Sequence, residues 1–149
     1  MSTIIINGSH QIGGNTSQLI QKLYPNHKII HLIDYKIELY NYDEFYSSED
    51  DFISIIKTIT QYDEIIFATP VYWYAMSSLL KMFFDRITDL LTSENPLGYQ
   101  LKNKKVQVIT TSNGNHLNDI FFEPIKSTCN YLGMQFINGR HYVNPISLI

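Results

Sequence analysis

The stretch Ile65-Ile66-Phe67-Ala68-Thr69-Pro70-Val71-Tyr72-Trp73-Tyr74-Ala75-Met76-Ser77-Ser78-Leu79-Leu80-Lys81-Met82-Phe83-Phe84-Asp85-Arg86 decides the fold of this chain. It begins as an unbroken apolar run, the pattern of a strand buried on both faces. Pro70 ends the run, and a valine and three consecutive aromatics follow in a short loop. Leu79, Leu80, Phe83, Phe84 and Ile87 then recur at helical spacing, so a helix is predicted after the loop. The loop therefore stands at the carboxyl end of a strand, where open α/β sheets bind ligands.

Outward from this unit the same pattern repeats. A strand is predicted over residues 3–7 and a helix over 15–24, which Pro25 stops. A second strand reads 27–33, followed by a polar, tyrosine-rich connection over 34–46. Ser47 or Ser48 is expected to cap the next helix, with Glu49, Asp50 and Asp51 in its first turn and Phe52, Ile55, Ile56 and Ile59 on its buried face. The third strand is 64–69. Ser93, Asn95, Pro96 and Gly98 mark a loop over 92–104, and the fourth strand is 105–111. A helix lies within 117–131, either starting near Glu123 or kinked at Pro124. Gly133 ends it, and 134–143 is the fifth strand. Strands alternating with helices predict one α/β domain over 1–149, a doubly wound, three-layer sandwich around a five-stranded parallel sheet. No helix of useful length is expected after the fifth strand.

Composition bounds the function. A chain of 149 residues fits one domain, and 44% hydrophobic with 17% charged residues is ordinary for a packed globule. A net charge of −3 and a pI near 5.9 argue against nucleic acid or an anionic membrane as partner. The densest basic patch, Lys102, Lys104 and Lys105, reads as a solvated lead-in to a strand. Cys129 is the only cysteine, so no intrachain disulfide or thiolate cluster can form. Its helical spacing to Ile125 and Leu132 marks a buried, inert thiol. His27, His31 and His141 fall on strands and read as surface or satisfied core positions, and no metal site is expected. With neither a signal-peptide pattern nor a membrane-length apolar run, a cytoplasmic protein is expected. Asp85 and Arg86 read as residues that fix the third helix to its neighbours or to a second subunit.

Two loops carry the candidate chemistry. Gly8-Ser9-His10-Gln11-Ile12-Gly13-Gly14-Asn15-Thr16-Ser17 joins the first strand to the first helix. Its glycines, Gly14 among them, allow close approach of a ligand, and the helix start supplies free N–H groups. Ser9, Asn15, Thr16 and Ser17 add side-chain donors, and His10 can donate to a phosphate. The bland alternative is a tight turn with a capping Asn or Thr. The loop holds neither Gly-x-Gly-x-x-Gly nor Gly-Lys-Ser/Thr, which removes support for a dinucleotide fingerprint and for phosphoryl transfer. The loop from Pro70 to Met76 presents Val71, Tyr72 and Trp73; its aromatics alone are equally consistent with core or interface. With strand order 2-1-3-4-5 the ends of strands one and three are neighbours, so the loops together suit a mononucleotide with an aromatic ring. The rim loop after strand four adds Ser112 and Gly114 toward the ring's polar edge, and His116 follows it.

On these residues the chain resembles the NAD(P)H-dependent FMN reductase family, whose fold is flavodoxin-like. Gly8-Ser9 with Gly14-Asn15-Thr16 resembles the family's phosphate loop. Thr69-Pro70-Val71-Tyr72-Trp73, with Ser77, Leu80-Lys81 and Phe84-Asp85-Arg86, resembles its third-strand signature. The resemblance implies FMN as cofactor, NADH or NADPH as hydride source, and a flavin, quinone, nitro or azo compound as small-molecule acceptor. It assigns the phosphate to Ser9, Asn15, Thr16 and Ser17 and the ring contacts to Pro70, Val71, Tyr72 and Trp73, with backbone N–H groups near Val71 and Gly114 at the ring edge. It implies no side-chain acid or base. The alternative of a different class is a flavodoxin-like electron carrier or flavin-binding module without turnover of its own. Gln11 stands where many members carry an arginine, and no cysteine cluster follows the second strand. The absent last helix and the aromatic loops lead to the expectation of a homodimer.

Overall fold

In the computed structural model, which describes residues 1–92 and 95–149, the strands form one parallel sheet in the order β2-β1-β3-β4-β5. They are β1 (Thr3–Asn7), β2 (Lys28–His31), β3 (Glu64–Pro70), β4 (Lys105–Ser112) and β5 (Gln135–Val143). The helices are α1 (Asn15–Leu23), α2 (Phe52–Ile59), α3 (Ser78–Asp85), α4 (Asn95–Gln100) and α5 (Glu123–Tyr131). Short 3-10 turns occupy Leu32–Asp34, Arg86–Leu90, Asp119–Phe122 and Ile146–Leu148. The expected strand order and three layers are present.

The period of two along each strand sorts side chains between two unequal faces. Ile4, Ile6, Ile65, Phe67, Val106 and Val108 pack with α2, α3 and α5 in the larger core. Ile5, Ile66, Ala68 and Ile109 form a smaller core with Leu19 and Ile20 of α1 and Ile146 of the turn after β5, edged by Leu23, Tyr24, Ile29 and Tyr142. Ile146, in the turn that follows β5, packs on this face beside α1 and is 2% exposed. Burying each such Ile or Leu contributes roughly 1.5–3 kcal/mol. Cys129 is buried, and desolvation pushes its thiol up to about 12, an inert group.

Five local expectations are corrected. The second strand stops at His31 because Leu32–Asp34 tightens into a 3-10 turn. The serines do not cap α2. Asp50 accepts the Phe52 and Glu38 N–H groups, Asp51 accepts that of Lys36, and the Ser47 N–H donates to Glu38. The acids are thus spent on the irregular connection as well as on the helix. The predicted loop over 92–104 contains α4, with Pro96 in its first turn, a position that needs no N–H donor; the predicted loop residue Ser93 lies outside the described residues. Lys102 and Lys105 are exposed, but Lys104 is only half-exposed. Its Nζ donates to the Thr60 and Tyr62 carbonyls past the end of α2, and burial lowers its pKa. Leu79 and Phe84, which the helical spacing places on the buried face with Leu80, Phe83 and Ile87, pack against the core but stay half-buried. Of the two options for Pro124, the start of α5 is realised.

The tyrosine-rich connection is held by one charged side chain. Arg86 is 1% exposed. It grips both oxygens of Asp50 at 2.8 and 3.0 Å, Asp89 at 2.8 Å and the Glu38 carbonyl at 3.0 Å. Its guanidinium lies 3.4 Å from the centre of the Tyr46 ring, whose hydroxyl donates to Asp89. Burial alone would raise the Asp50 carboxyl and lower Arg86; their mutual ion pair together with the Glu38 and Phe52 N–H groups on Asp50 and the Asp89 carboxylate on Arg86 outweighs it, holding Asp50 below and Arg86 above their ordinary values. Asp85, one residue earlier, pairs with Lys81 on the surface.

Candidate ligand-binding cleft

The loops predicted to carry function leave the carboxyl ends of β1, β3 and β4, which the register aligns at Asn7, Ala68 and Ile109. Asn7 closes β1 and is fully buried. Its Oδ1 accepts the Ser9 N–H, and its Nδ2 lies 3.3 Å from Ser17 Oγ and 3.0 Å from His31 Nδ1. The turn over α1 is therefore fixed from beneath. Gly14 occupies the N-cap of α1, where it has no side chain to offer, and no acidic residue sits in the first turn. The leading N–H groups of this helix are left for something outside the protein to accept.

The first and third loops are stitched to each other. Gly8 donates its N–H to the Ala68 carbonyl at 2.8 Å, and Ser77 Oγ donates to the Gly8 carbonyl at 2.6 Å while accepting the Leu80 N–H as the cap of α3. A Cβ on Gly8 would stand 2.9 Å from that of Leu80, so only glycine allows this approach. Thr69 Oγ1 accepts the Ser77 N–H and closes the loop from inside.

Between them, Tyr72 and Ala75 exchange both backbone hydrogen bonds, and Trp73 and Tyr74 have φ of +49° and +65°. That is the pattern of a type I′ turn, normally built from Asn and Gly. Two bulky residues held left-handed cost about 1–2 kcal/mol each. The turn sets Trp73 outward, 94% exposed, and brings Tyr74 edge-on to the His116 ring at 5.7 Å.

The fourth loop is braced from β5. Ser112 Oγ lies 2.7 Å from His141 Nε2 and donates to the Gly114 carbonyl, and Asn113 Oδ1 accepts from Asn144 Nδ2 at 3.0 Å. Burial, reinforced by His116, lowers the His141 pKa. The Val71 N–H, expected at the ring edge, is taken by the Thr111 carbonyl at 3.2 Å.

These loops enclose an open cleft of about 240 Å³ lined by Ser9, Gln11, Gly14, Asn15, Thr16, Pro70, Val71, Tyr72, Thr111, Ser112, Asn113 and Asn144. Eight predicted site residues therefore converge: Ser9, Gly14, Asn15, Thr16, Pro70, Val71, Tyr72 and Ser112. Four stand outside the lining. His10 turns to Ser78 Oγ at 3.3 Å, Ser17 lies behind the loop against Asn7, Trp73 is in solvent, and Gly114 lies against His116. The sequence marks Gln11 only as a departure from the family's phosphate loop, and it does not single out Asn7 or Asn144. The Asn-Pro pair after β5 was the one signal for Asn144, since it marks a turn at the same rim. None of the lining residues carries a full charge, so donors and dipoles set the field. The more enclosed void beneath the sheet, about 20 Å³ among Ile65, Phe67, Phe83 and Cys129, is an apolar packing defect too small for a ligand.

A family model described as flavodoxin-like fold matches residues 1–144. A protein of Bacillus subtilis strain 168, provisionally named NAD(P)H-dependent FMN-containing oxidoreductase YwqN, is 36% identical over 98 residues, 61% of this chain and 54% of that protein. FMN-dependent NADH:quinone oxidoreductase 1 of Hahella chejuensis is 29% identical over 108 residues, 64% of this chain and 52% of that protein. The matches span about half the length of these curated relatives. Among solved structures, that of the Trp repressor binding protein of Bacillus subtilis superposes with a TM-score of 0.77 at 28% identity, over 96% of this chain and 85% of the other. No helix among the described residues is long and apolar enough to cross a membrane.

Proposed function

Because this chain belongs to the flavodoxin-like fold family, we propose that it is an FMN-dependent oxidoreductase. It takes hydride from NADH or NADPH and passes electrons to a small flavin, quinone, nitro or azo acceptor. The observation that carries this reading is the pairing of a helix start without a cap, opening on an uncharged cleft, with an exposed aromatic turn on the adjacent strand end. The names of both curated relatives point to oxidoreductase chemistry rather than to a carrier.

The residues present fit the cofactor. Unaccepted N–H groups at the start of α1, with Ser9, Asn15 and Thr16, suit a phosphate, and the helix dipole supplies the favourable charge that Gln11 does not. Ser17 acts from behind by holding Asn7, and His10 stands beside the loop. Pro70, Val71 and Tyr72 would give the flat apolar wall for the ring, with Ser112 on the loop beside its polar edge. FMN, when bound, supplies the hydride chemistry. The chain's task is to hold the ring and leave one face open, and Trp73 standing in solvent keeps the mouth clear. We assign the protein to the cytoplasm and to a homodimer; the run of exposed Tyr72, Trp73 and Tyr74 supports the second assignment.

Calorimetric titration with FMN is expected to show saturable heat, and the protein with FMN to oxidise NAD(P)H in the presence of a quinone faster than free FMN does. Absence of binding removes the cofactor reading; binding with no rate above free flavin leaves only a flavin-binding module.

A further inference from the structure

Asn7, fully buried at the end of β1, holds the first cleft loop with an amide whose orientation is fixed. Its Oδ1 takes the Ser9 N–H at 3.0 Å, and since a backbone N–H can only donate, that end of the amide must be the oxygen. The other end is therefore the NH2 group. One of its protons serves Ser17 Oγ at 3.3 Å and the other His31 Nδ1 at 3.0 Å. Nδ1 can accept that proton only as a bare nitrogen, so His31 in this network is the neutral tautomer with its own proton on Nε2.

Nothing around the ring favours a second proton on it. Asn7 is its one hydrogen-bond partner among the described residues. On β1, its neighbour in the sheet, residues 3–7 carry no charge. Helix α1 contributes Ser17, and its one charged side chain, Lys22, turns to the carbonyls of Ile146 and Ile149. Lys28 on β2 and Asp34 in the turn after it are exposed. A proton on Nδ1 sets donor against donor across the Asn7 contact. Turning the amide over only moves the conflict, because the NH2 group then faces the Ser9 N–H. Either way the loop loses a hydrogen bond from beneath, and Ser9 lines the cleft.

We propose that His31 is a positioning residue for the first cleft loop. Neutral, it anchors Asn7 and so sets Ser9 for the ligand's phosphate; doubly protonated, it releases that loop and weakens binding. The proposal rests on the cofactor reading above. It gives a role in binding to a ring that stands outside the cleft lining. By linkage, ligand binding at mildly acidic pH expels a proton from this ring.

FMN titrations at pH 7.5 and 5.5 on the wild type, His31→Asn and His31→Leu test this. Asparagine offers an acceptor oxygen near the place of Nδ1 and cannot titrate, whereas leucine offers no acceptor. At pH 7.5, His31→Asn is expected to bind within about threefold of the wild type and His31→Leu about tenfold more weakly. From pH 7.5 to 5.5 the wild type should lose about fivefold more affinity than His31→Asn, whose remaining loss reports protonation of the FMN phosphate itself. Equal pH dependence in these two proteins, or wild-type affinity in His31→Leu at pH 7.5, overturns the proposal. Nitrogen NMR of the unliganded wild type needs no variant to fold. At pH 7.5 His31 should carry its proton on Nε2, and a ring protonated on Nδ1 sinks the assignment. A wild type that binds no FMN at either pH overturns the cofactor reading and this proposal with it, whereas normal wild-type binding with an indifferent His31 overturns this proposal alone.

Discussion

The two ends of α3 are built on opposite plans. At its N-terminus the chain sets Tyr72, Trp73 and Tyr74 in water, holds two of them in a left-handed conformation, and uses no charged side chain. At its C-terminus it buries a guanidinium with two carboxylates and wraps it in aromatic rings. One end carries strain and exposure where a ligand can use them. The other uses polar density to pin an irregular segment, residues 34–51, that has too little apolar surface to pin itself. Charge here is a structural device, and the candidate site is neutral.

The largest test of that contrast is Arg86→Met. It leaves Asp50 and Asp89 buried without their cation, a situation that costs about 3–5 kcal/mol. Urea denaturation should show a loss of that size, while FMN affinity measured well below the melting temperature stays within twofold of wild type. A loss under about 1 kcal/mol would mean the hub is not what holds the connection, and a collapse of FMN affinity would mean the two ends are not separable. Arg86→Lys should fall between, since an ammonium keeps the charge but cannot make the two-pronged grip on Asp50.

The opposite sign is expected at the other end. Replacing Trp73-Tyr74 by Asn-Gly gives the type I′ turn the residues it favours, and stability should rise by about 1–2 kcal/mol. Under the proposed function the same change removes two exposed aromatic rings that stand beside the cleft lining, so KM for a quinone acceptor should rise about tenfold through lost stacking area. A variant that gains no stability shows the turn is unstrained. One that keeps its KM shows that the exposed rings serve something other than the acceptor.

What the sequence made legible follows the same division. Strand order, the sheet and both loops are readable because β1 and β3 carry unbroken apolar runs, because Val106, Val108 and Ile109 mark β4, and because Gly8 and Pro70 mark the points where the chain leaves the sheet. Asp50 and Asp51 were read only as helix-dipole partners. Apart from the Phe52 N–H, two residues on from Asp50, their Lys36, Glu38 and Arg86 partners lie 12 to 36 residues away in the chain, a separation that no local pattern encodes. Asn144 was missed for the same reason, since its place in the cleft depends on β5 lying next to β4. The four site residues outside the lining were chosen by position in a motif. Rotation about α1 and the sign of φ at Trp73, which decide where those side chains go, are not visible in residue order.

The last and smallest effect separates the two regions by pH. In the hub, hydrogen bonding holds Asp50 below its ordinary value, so the stability it contributes is present at neutral pH and is lost as pH falls through the carboxylate range. At the rim, burial and then the neighbouring His116 lower His141 below its ordinary value of 6.5. The groups that bear on its ring are Ser112 Oγ and the His116 imidazole, and neither is an anion that would favour the charged form. Between the folded pKa and 6.5 the unfolded chain binds more protons at this position than the folded one, so stability rises with pH across that window. Asp50 is ionised in both states there and adds no slope. Urea midpoints at pH 5.5 and 7.5 should therefore differ, with the higher value at pH 7.5, and His141→Gln should shrink the difference while leaving the acid transition of the hub unmoved. An undiminished difference in the variant places the titrating group elsewhere. A lower midpoint at pH 7.5, lost in the variant, means that protonated His141 is the form the fold prefers and that the rim is held by charge after all.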